Sequence, residues 1–193
     1  MRYAQLERQT KETKIKCMIN LDGRGNSDID TGIGYFDHML ESFTVHSGFD
    51  LGLVCKGDIE VDNHHTIEDV GIVLGRAFAR AVGDKNGIAR YGNFMIPMDE
   101  SLATCVVDIS GREYLVFDCD FRAEKIGDMD TQMVVEFFRA FTSNAMITLH
   151  LNAVYGENDH HKCEALFKAF AHALRTATGL TGGNVLSSKG TLG

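Results

Sequence analysis

The chain has 193 residues, 44% hydrophobic and 24% charged, enough for one sizeable core or two small similar halves. Its net charge of −8 argues against a nucleic-acid partner, and no apolar run reaches the roughly 18 residues of a membrane helix. The polar, charged stretch from Met1 to Lys16 is no secretory signal, and five dispersed cysteines (Cys17, Cys55, Cys105, Cys119, Cys163) without a C-x-x-C predict reduced thiols in a cytoplasmic protein.

Two strand-like runs come first, residues 13–21 and 27–33, separated by the turn Asp22-Gly23-Arg24-Gly25. A short helix, a strand and a loop ending in Asp62-Asn63-His64-His65 follow. A long helix comes next: Ile67, Val70, Leu74, Ala77, Phe78 and Ala81 recur on one stripe at helical spacing, and a glycine closes it. The order then repeats. Strands at 102–109 and 114–120 flank Ser110-Gly111-Arg112. Another short helix and strand lead to Asp159-His160-His161, and Cys163, Leu166, Phe167, Phe170 and Leu174 form the stripe of a second long helix. Asn63 and Asp159 occupy expected N-cap positions, and the single proline, Pro97, is read as linker. The chain reads as an α+β protein of two duplicated β-β-α-β-α halves, residues 1–95 and 96–193, each a sheet with helices packed on one face. Together they make one catalytic domain, the second half ending in a Gly-rich tail.

The repeat carries two copies of one motif, His64-His65-Thr66-Ile67-Glu68 and His160-His161-Lys162-Cys163-Glu164. Positions i and i+4 share a helix face, so His64 with Glu68, and His160 with Glu164, can each hold an ion. The intervening histidine is rotated by about 100° and points to a neighbouring site. If the motifs face each other, a crossed pattern results: His64, Glu68 and His161 on one ion, His160, Glu164 and His65 on the other. His38 and Glu136 occupy equivalent places on the short helices and are expected as one further ligand each. A lone His-His pair is ordinarily a surface feature; two copies at equivalent places in a repeat point to metal. The spacing is neither H-E-x-x-H nor H-x-x-E-H, which argues against a peptidase. Imidazole and carboxylate donors suit Mn, Fe, Co, Ni or Zn. Cys163 lies on the core stripe and is read as packing.

These residues, with RQTKETKI, TGIGYFDHML, HSGFDL, DNHHTIEDVGIVLG, RYGNFMIPMDE, VVDISGREYL, NDHHKCEALFKAFAHALR and SSKG, resemble the imidazoleglycerol-phosphate dehydratase family over nearly the whole chain. The resemblance is to the monofunctional form, without the phosphatase half of bifunctional relatives. It implies loss of water from imidazole glycerol phosphate to give imidazole acetol phosphate in histidine biosynthesis. It further implies two manganese ions per active site, no organic cofactor, and a homo-oligomeric shell of 24 subunits built from trimers with sites between subunits. A small phosphorylated imidazole substrate is then the partner, with no nucleic acid and no membrane.

The carbon acid to be deprotonated is not next to a carbonyl, so the substrate's imidazole can serve as the electron sink instead. Held by metal as imidazolate, it can expel the neighbouring hydroxyl, and a base then takes the proton from the next carbon. By resemblance Glu12 is the favoured acid/base in contact with substrate and His46 the second candidate; Glu68 and Glu164 can take part while bound to metal. Arg90, Arg112, Lys168, Ser187, Ser188 and Lys189 match substrate- or phosphate-binding positions, where a phosphate needs cations and donors. Read without the resemblance, Glu12 is an exposed strand-start charge and the arginines are solvated. The tail is a closing segment or a frayed end. His150 is a mid-strand residue, His172 a helix-surface or interface residue, and Asp99 with Glu100 a turn. Two rivals remain at this point: a two-metal hydrolase of a phosphorylated small molecule, and a metal-binding shell without catalysis.

Overall fold

The computed structural model describes residues 2–192. Its first half comprises β1 (Tyr3–Gln9), β2 (Thr13–Asn20), β3 (Ser27–Asp30), α1 (Gly34–Ser47), β4 (Asp50–Gly57) and α2 (His64–Val82). The second comprises β5 (Tyr91–Met98), β6 (Ser101–Asp108), β7 (Tyr114–Asp118), a small hairpin of β8 (Lys125–Ile126) and β9 (Met129–Asp130), α3 (Gln132–Ala145), β10 (Thr148–Tyr155) and α4 (Asp159–Thr178). The sheets have the same order, β1-β2-β4-β3 and β5-β6-β10-β7. In each the last pair is parallel and the others antiparallel. The chain is thus the expected α+β duplication.

Alternation along the inner strands creates one apolar face per sheet. In β2, Ile15, Cys17 and Ile19 are buried while Lys14 and Lys16 are exposed; β6 buries Ala103, Cys105 and Val107. Helix α2 covers the inner face of the first sheet and α4 that of the second. Across the halves α2 meets α3 and α1 meets α4. Every residue of the two predicted helix stripes is buried. Phe137 joins the helices, its ring 5.3 Å from both Phe36 of α1 and Phe167 of α4.

Relative to the sequence reading, the structure adds an edge strand to each half. β1 alternates in burial, but its inward row is Ala4, Leu6 and Arg8 and only Ala4 is fully buried, so YAQLERQ carries a weak apolar signal. β5 was hidden by Pro97, which belongs to this strand and not to a linker. Pro97 is opposite Leu102 on the sheet edge, where a missing N–H is tolerated. The caps also differ. Asn158, not Asp159, caps α4, accepting from the backbone N–H of His160 and His161. Asp159 is the buried first residue, accepting from the N–H of Arg122 and Ala123 and pairing with Lys162. Asn63 makes no side-chain cap; Asp62 accepts the His64 N–H instead, at 2.7 Å.

The α2–α3 contact depends on Gly75. A Cβ there would lie 2.6 Å from the Phe141 carbonyl oxygen and 3.1 Å from the Ala145 nitrogen. Alanine gains up to about 1 kcal/mol in helix propensity, but the obstructing atoms are backbone and cannot rotate away. Gly75→Ala is expected to destabilise by about 1–3 kcal/mol, the usual cost of overpacking. A melting temperature equal to or above the parent's would show that α2 and α3 separate freely.

Candidate metal centre and active site

Helices α1 and α4 lie side by side and bring three predicted ligands together. One potential ligand atom from each of His38, His160 and Glu164 lies within 4.8 Å of the others. His160 Nε2 is 3.0 Å and His38 Nε2 3.7 Å from Glu164 Oε2. The first distance follows from i,i+4 spacing on one helix; the second is set by packing between halves. Tyr35 meets the His160 ring edge-on at 5.2 Å and fixes its plane. The Glu164 side chain is only 10% exposed, and its other oxygen accepts from Lys168 Nζ at 2.7 Å. Burial alone would raise the Glu164 carboxyl, but Lys168, His160 and His38 outweigh it and hold it below its ordinary value. An anionic carboxylate flanked by two imidazoles fits a divalent transition-metal ion.

The first motif is more open. His64 Nε2 and Glu68 Oε2 are 3.7 Å apart with about two-fifths of each side chain exposed. Glu136 lies on α3 and pairs with Arg139 one turn on. Among the described residues, the group around Glu164 is the one set of three potential donors. Within one chain, then, His161 does not join His64 and Glu68, and His65 does not join His160 and Glu164.

His65 and His161 are instead held by carboxylates. His65 Nδ1 lies 3.0 Å from Asp58, and His161 Nδ1 lies 2.7 Å from Glu100. Each bond requires a proton on Nδ1 and leaves Nε2 with a lone pair, the usual arrangement of a metal-ligating histidine. Both imidazoles are raised in basicity, His65 by Asp58 and then Glu12, His161 by Glu100 and then Asp99. Glu100 also accepts from the N–H of Glu157 and Asn158 and from Ser101 Oγ. These bonds, the Asn158 N–H and the His161 ring foremost, hold its carboxyl far below the usual range. Glu100 therefore orients a histidine as well as shaping the β5–β6 turn, which the sequence reading missed. Asp58 was missed altogether; an acidic residue in a polar loop carries no local signal.

Glu12 stands in the β1–β2 turn, half exposed, with Oε1 3.7 Å from His65 Nε2. His46 closes α1 and is paired with His172 of α4, so His172 is not a simple surface residue. Arg90 differs most from expectation. At φ +70° it directs its guanidinium onto Asp108, with contacts of 2.7 and 2.9 Å, and its Nη1 onto the Leu186 carbonyl at 2.6 Å. Its charge is locally neutralised, and it ties the tail to the second sheet. Arg90, Ser187 and Ser188 line an open cavity of about 930 Å³, and Lys189 follows them. Arg112 is exposed in the turn before β7. Cys163 is fully buried and its thiol is pushed up to about 12 by burial, as a packing residue requires.

The family model for imidazoleglycerol-phosphate dehydratase matches residues 31–174. An imidazoleglycerol-phosphate dehydratase of Caldicellulosiruptor saccharolyticus is 56% identical over 191 residues, covering 99% of this chain and 98% of the relative. One from Methanosarcina mazei is 56% identical over 192 residues, covering both chains fully. The crystal structure of the Staphylococcus aureus dehydratase superposes with a TM-score of 0.85 at 44% identity, over 93% of this chain and 99% of that one. The Pyrococcus furiosus structure, a complex with (S)-C348, gives 0.85 at 34% identity over 97% and 100%. A duplicated fold, a doubled His-His-x-x-Glu motif and full-length identity above one half place the chain in the imidazoleglycerol-phosphate dehydratase family, a family of lyases.

Proposed function

We propose that this chain dehydrates imidazole glycerol phosphate to imidazole acetol phosphate with two divalent ions, manganese by family resemblance, per active site. The observation that carries the metal reading is the convergence of His38, His160 and Glu164 from two halves of the chain. His64, Glu68 and Glu136 would serve the second ion. His65 and His161, oriented by Asp58 and Glu100 and outside the group around Glu164, would complete sites in neighbouring subunits of a trimer-based shell. Five free cysteines accord with a reducing, cytoplasmic setting, and among the described residues no helix is long and apolar enough to cross a membrane.

When bound, the ions would supply Lewis-acid polarisation of the substrate's imidazole. The chain's own groups do the rest. Glu12, beside His65, takes the proton from the carbon next to the one that loses its hydroxyl; that proton and the departing hydroxide leave as one water, and the enol so formed tautomerises to the ketone. His46, Lys168, Arg112, Ser187, Ser188 and Lys189 donate to the phosphate, and Arg90 holds the tail that carries the last three.

The deciding experiment is turnover of imidazole glycerol phosphate by metal-stripped protein, with and without manganese. Ketone formed only with manganese, and no phosphate released, is the expected result. Release of inorganic phosphate would replace this reading with a hydrolase, and metal binding without turnover would leave a metal-binding shell.

Glu100→Gln should lower metal affinity about 10–100-fold, the usual cost of removing a partner that orients a ligating histidine; calorimetry with manganese measures it. The same variant changes the pH dependence of stability. A carboxyl held below its unfolded value stabilises above that value and loses the contribution as pH falls toward its folded value. Unfolding of Glu100→Gln should therefore depend less on pH in acid than the parent's does. An unchanged acid limb would mean that Glu100 contributes no linked proton.

A further inference from the structure

His46 in the last turn of α1 and His172 on α4, one turn beyond Lys168, form a pair that the metal centre does not use. His46 Nδ1 and His172 Nε2 are 3.1 Å apart. The His172 ring stacks on Phe94 of β5, centroids 4.4 Å apart and planes 15° from parallel. It meets the His46 ring edge-on at 5.2 Å. A bond between two neutral imidazoles needs one N–H and one lone pair, so the tautomer of one ring sets that of the other. Burial lowers both pKa values, helped by Lys168 beside His46 and Arg175 beside His172. Glu164 alone pulls His46 the other way.

The partner type decides what each histidine offers at Nε2. At His65 and His161 a carboxylate demands Nδ1–H and leaves a lone pair, suited to a cation. His46 has a partner that can donate. If His172 Nε2–H donates to His46 Nδ1, the His46 proton resides on Nε2, suited to an anion. The opposite tautomer would turn a lone pair toward anionic oxygens already drawn to Lys168, and would be disfavoured once they bind.

We propose that His172 is a positioning residue that holds His46 as its Nε2–H tautomer, the form that donates to the substrate's phosphate. This rests on the reading of His46 as a phosphate contact, and the variants separate the two. His172→Phe keeps a ring on Phe94 and removes the donor. The KM of the substrate and the inhibition constant of inorganic phosphate should each rise about tenfold, the scale of one hydrogen bond to a charged group, with kcat changed less. His172→Gln, which retains an N–H, should restore most of the affinity. His46→Gln offers an amide N–H at the Nε2 position whatever its neighbour, so adding His172→Phe to it should cost nothing further. An equal loss in both backgrounds, or no loss from His172→Phe alone, overturns the proposal. Unchanged KM in His46→Phe would instead remove the phosphate reading of His46.

Discussion

Glu164→Gln should cost about a thousandfold in kcat, equivalent to about 4 kcal/mol of barrier, and one of the two ions proposed for each site. Glu164 is where the halves of the chain meet. Its carboxylate faces His160 of its own helix, His38 of α1 and Lys168 a turn further on. Glutamine keeps the shape and one acceptor but removes the charge that lets two imidazoles and a cation share this space. Lys168 then loses its partner and repels any incoming ion. Because the side chain is largely buried, solvent cannot replace the lost charge as it could at Glu68. Glu68→Gln is therefore the milder change for the folded chain. Metal analysis of purified protein and single-turnover assays read the two effects separately. Full metal content with full activity in Glu164→Gln would dismantle the metal centre.

Much of this was legible in sequence because the chain says it twice. The helix stripes, the His-His-x-x-Glu motifs and the His38–Glu136 correspondence each gain force from the second copy. Local patterning also fixes which residues share a helix face, hence the His160–Glu164 distance. What stayed hidden was of two kinds. Edge strands are half solvated, so the inward row of β1 (Ala4, Leu6, Arg8) is too weakly apolar to stand out, and β5 tolerates Pro97. Contacts distant in sequence have no local signature: Glu100 reaches His161 across 61 positions, and His46 meets His172 across 126. The Arg90–Asp108 pair is likewise invisible until β5 and β6 are in register.

The duplication also supports the role proposed for Glu12, and Glu12→Gln is the sharpest test of it. Glu12 and Glu100 are counterparts, each the last residue before the second strand of its half. Their surroundings have diverged. The Glu100 carboxylate is engaged by two backbone N–H groups, Ser101 Oγ and His161. In the first half Asp58 holds His65 instead, and among the described residues the Glu12 carboxylate makes one ion-pair contact, with His65 Nε2 at 3.7 Å. One copy of the carboxylate became structural; the other was left exposed beside His65, a proposed metal ligand, without the bonds that tie Glu100 down. Glu12→Gln should lower kcat about 10²–10⁴-fold, the range for a positioned acid/base. Metal content, melting temperature and KM should stay close to the parent's, since nothing in the fold depends on that charge. Glu100→Gln should show the reverse, weaker metal binding and altered acid stability. If Glu12→Gln lost metal in proportion to activity, Glu12 would be a ligand or its support, and the proton would have to pass through another group, with His46 the next to test.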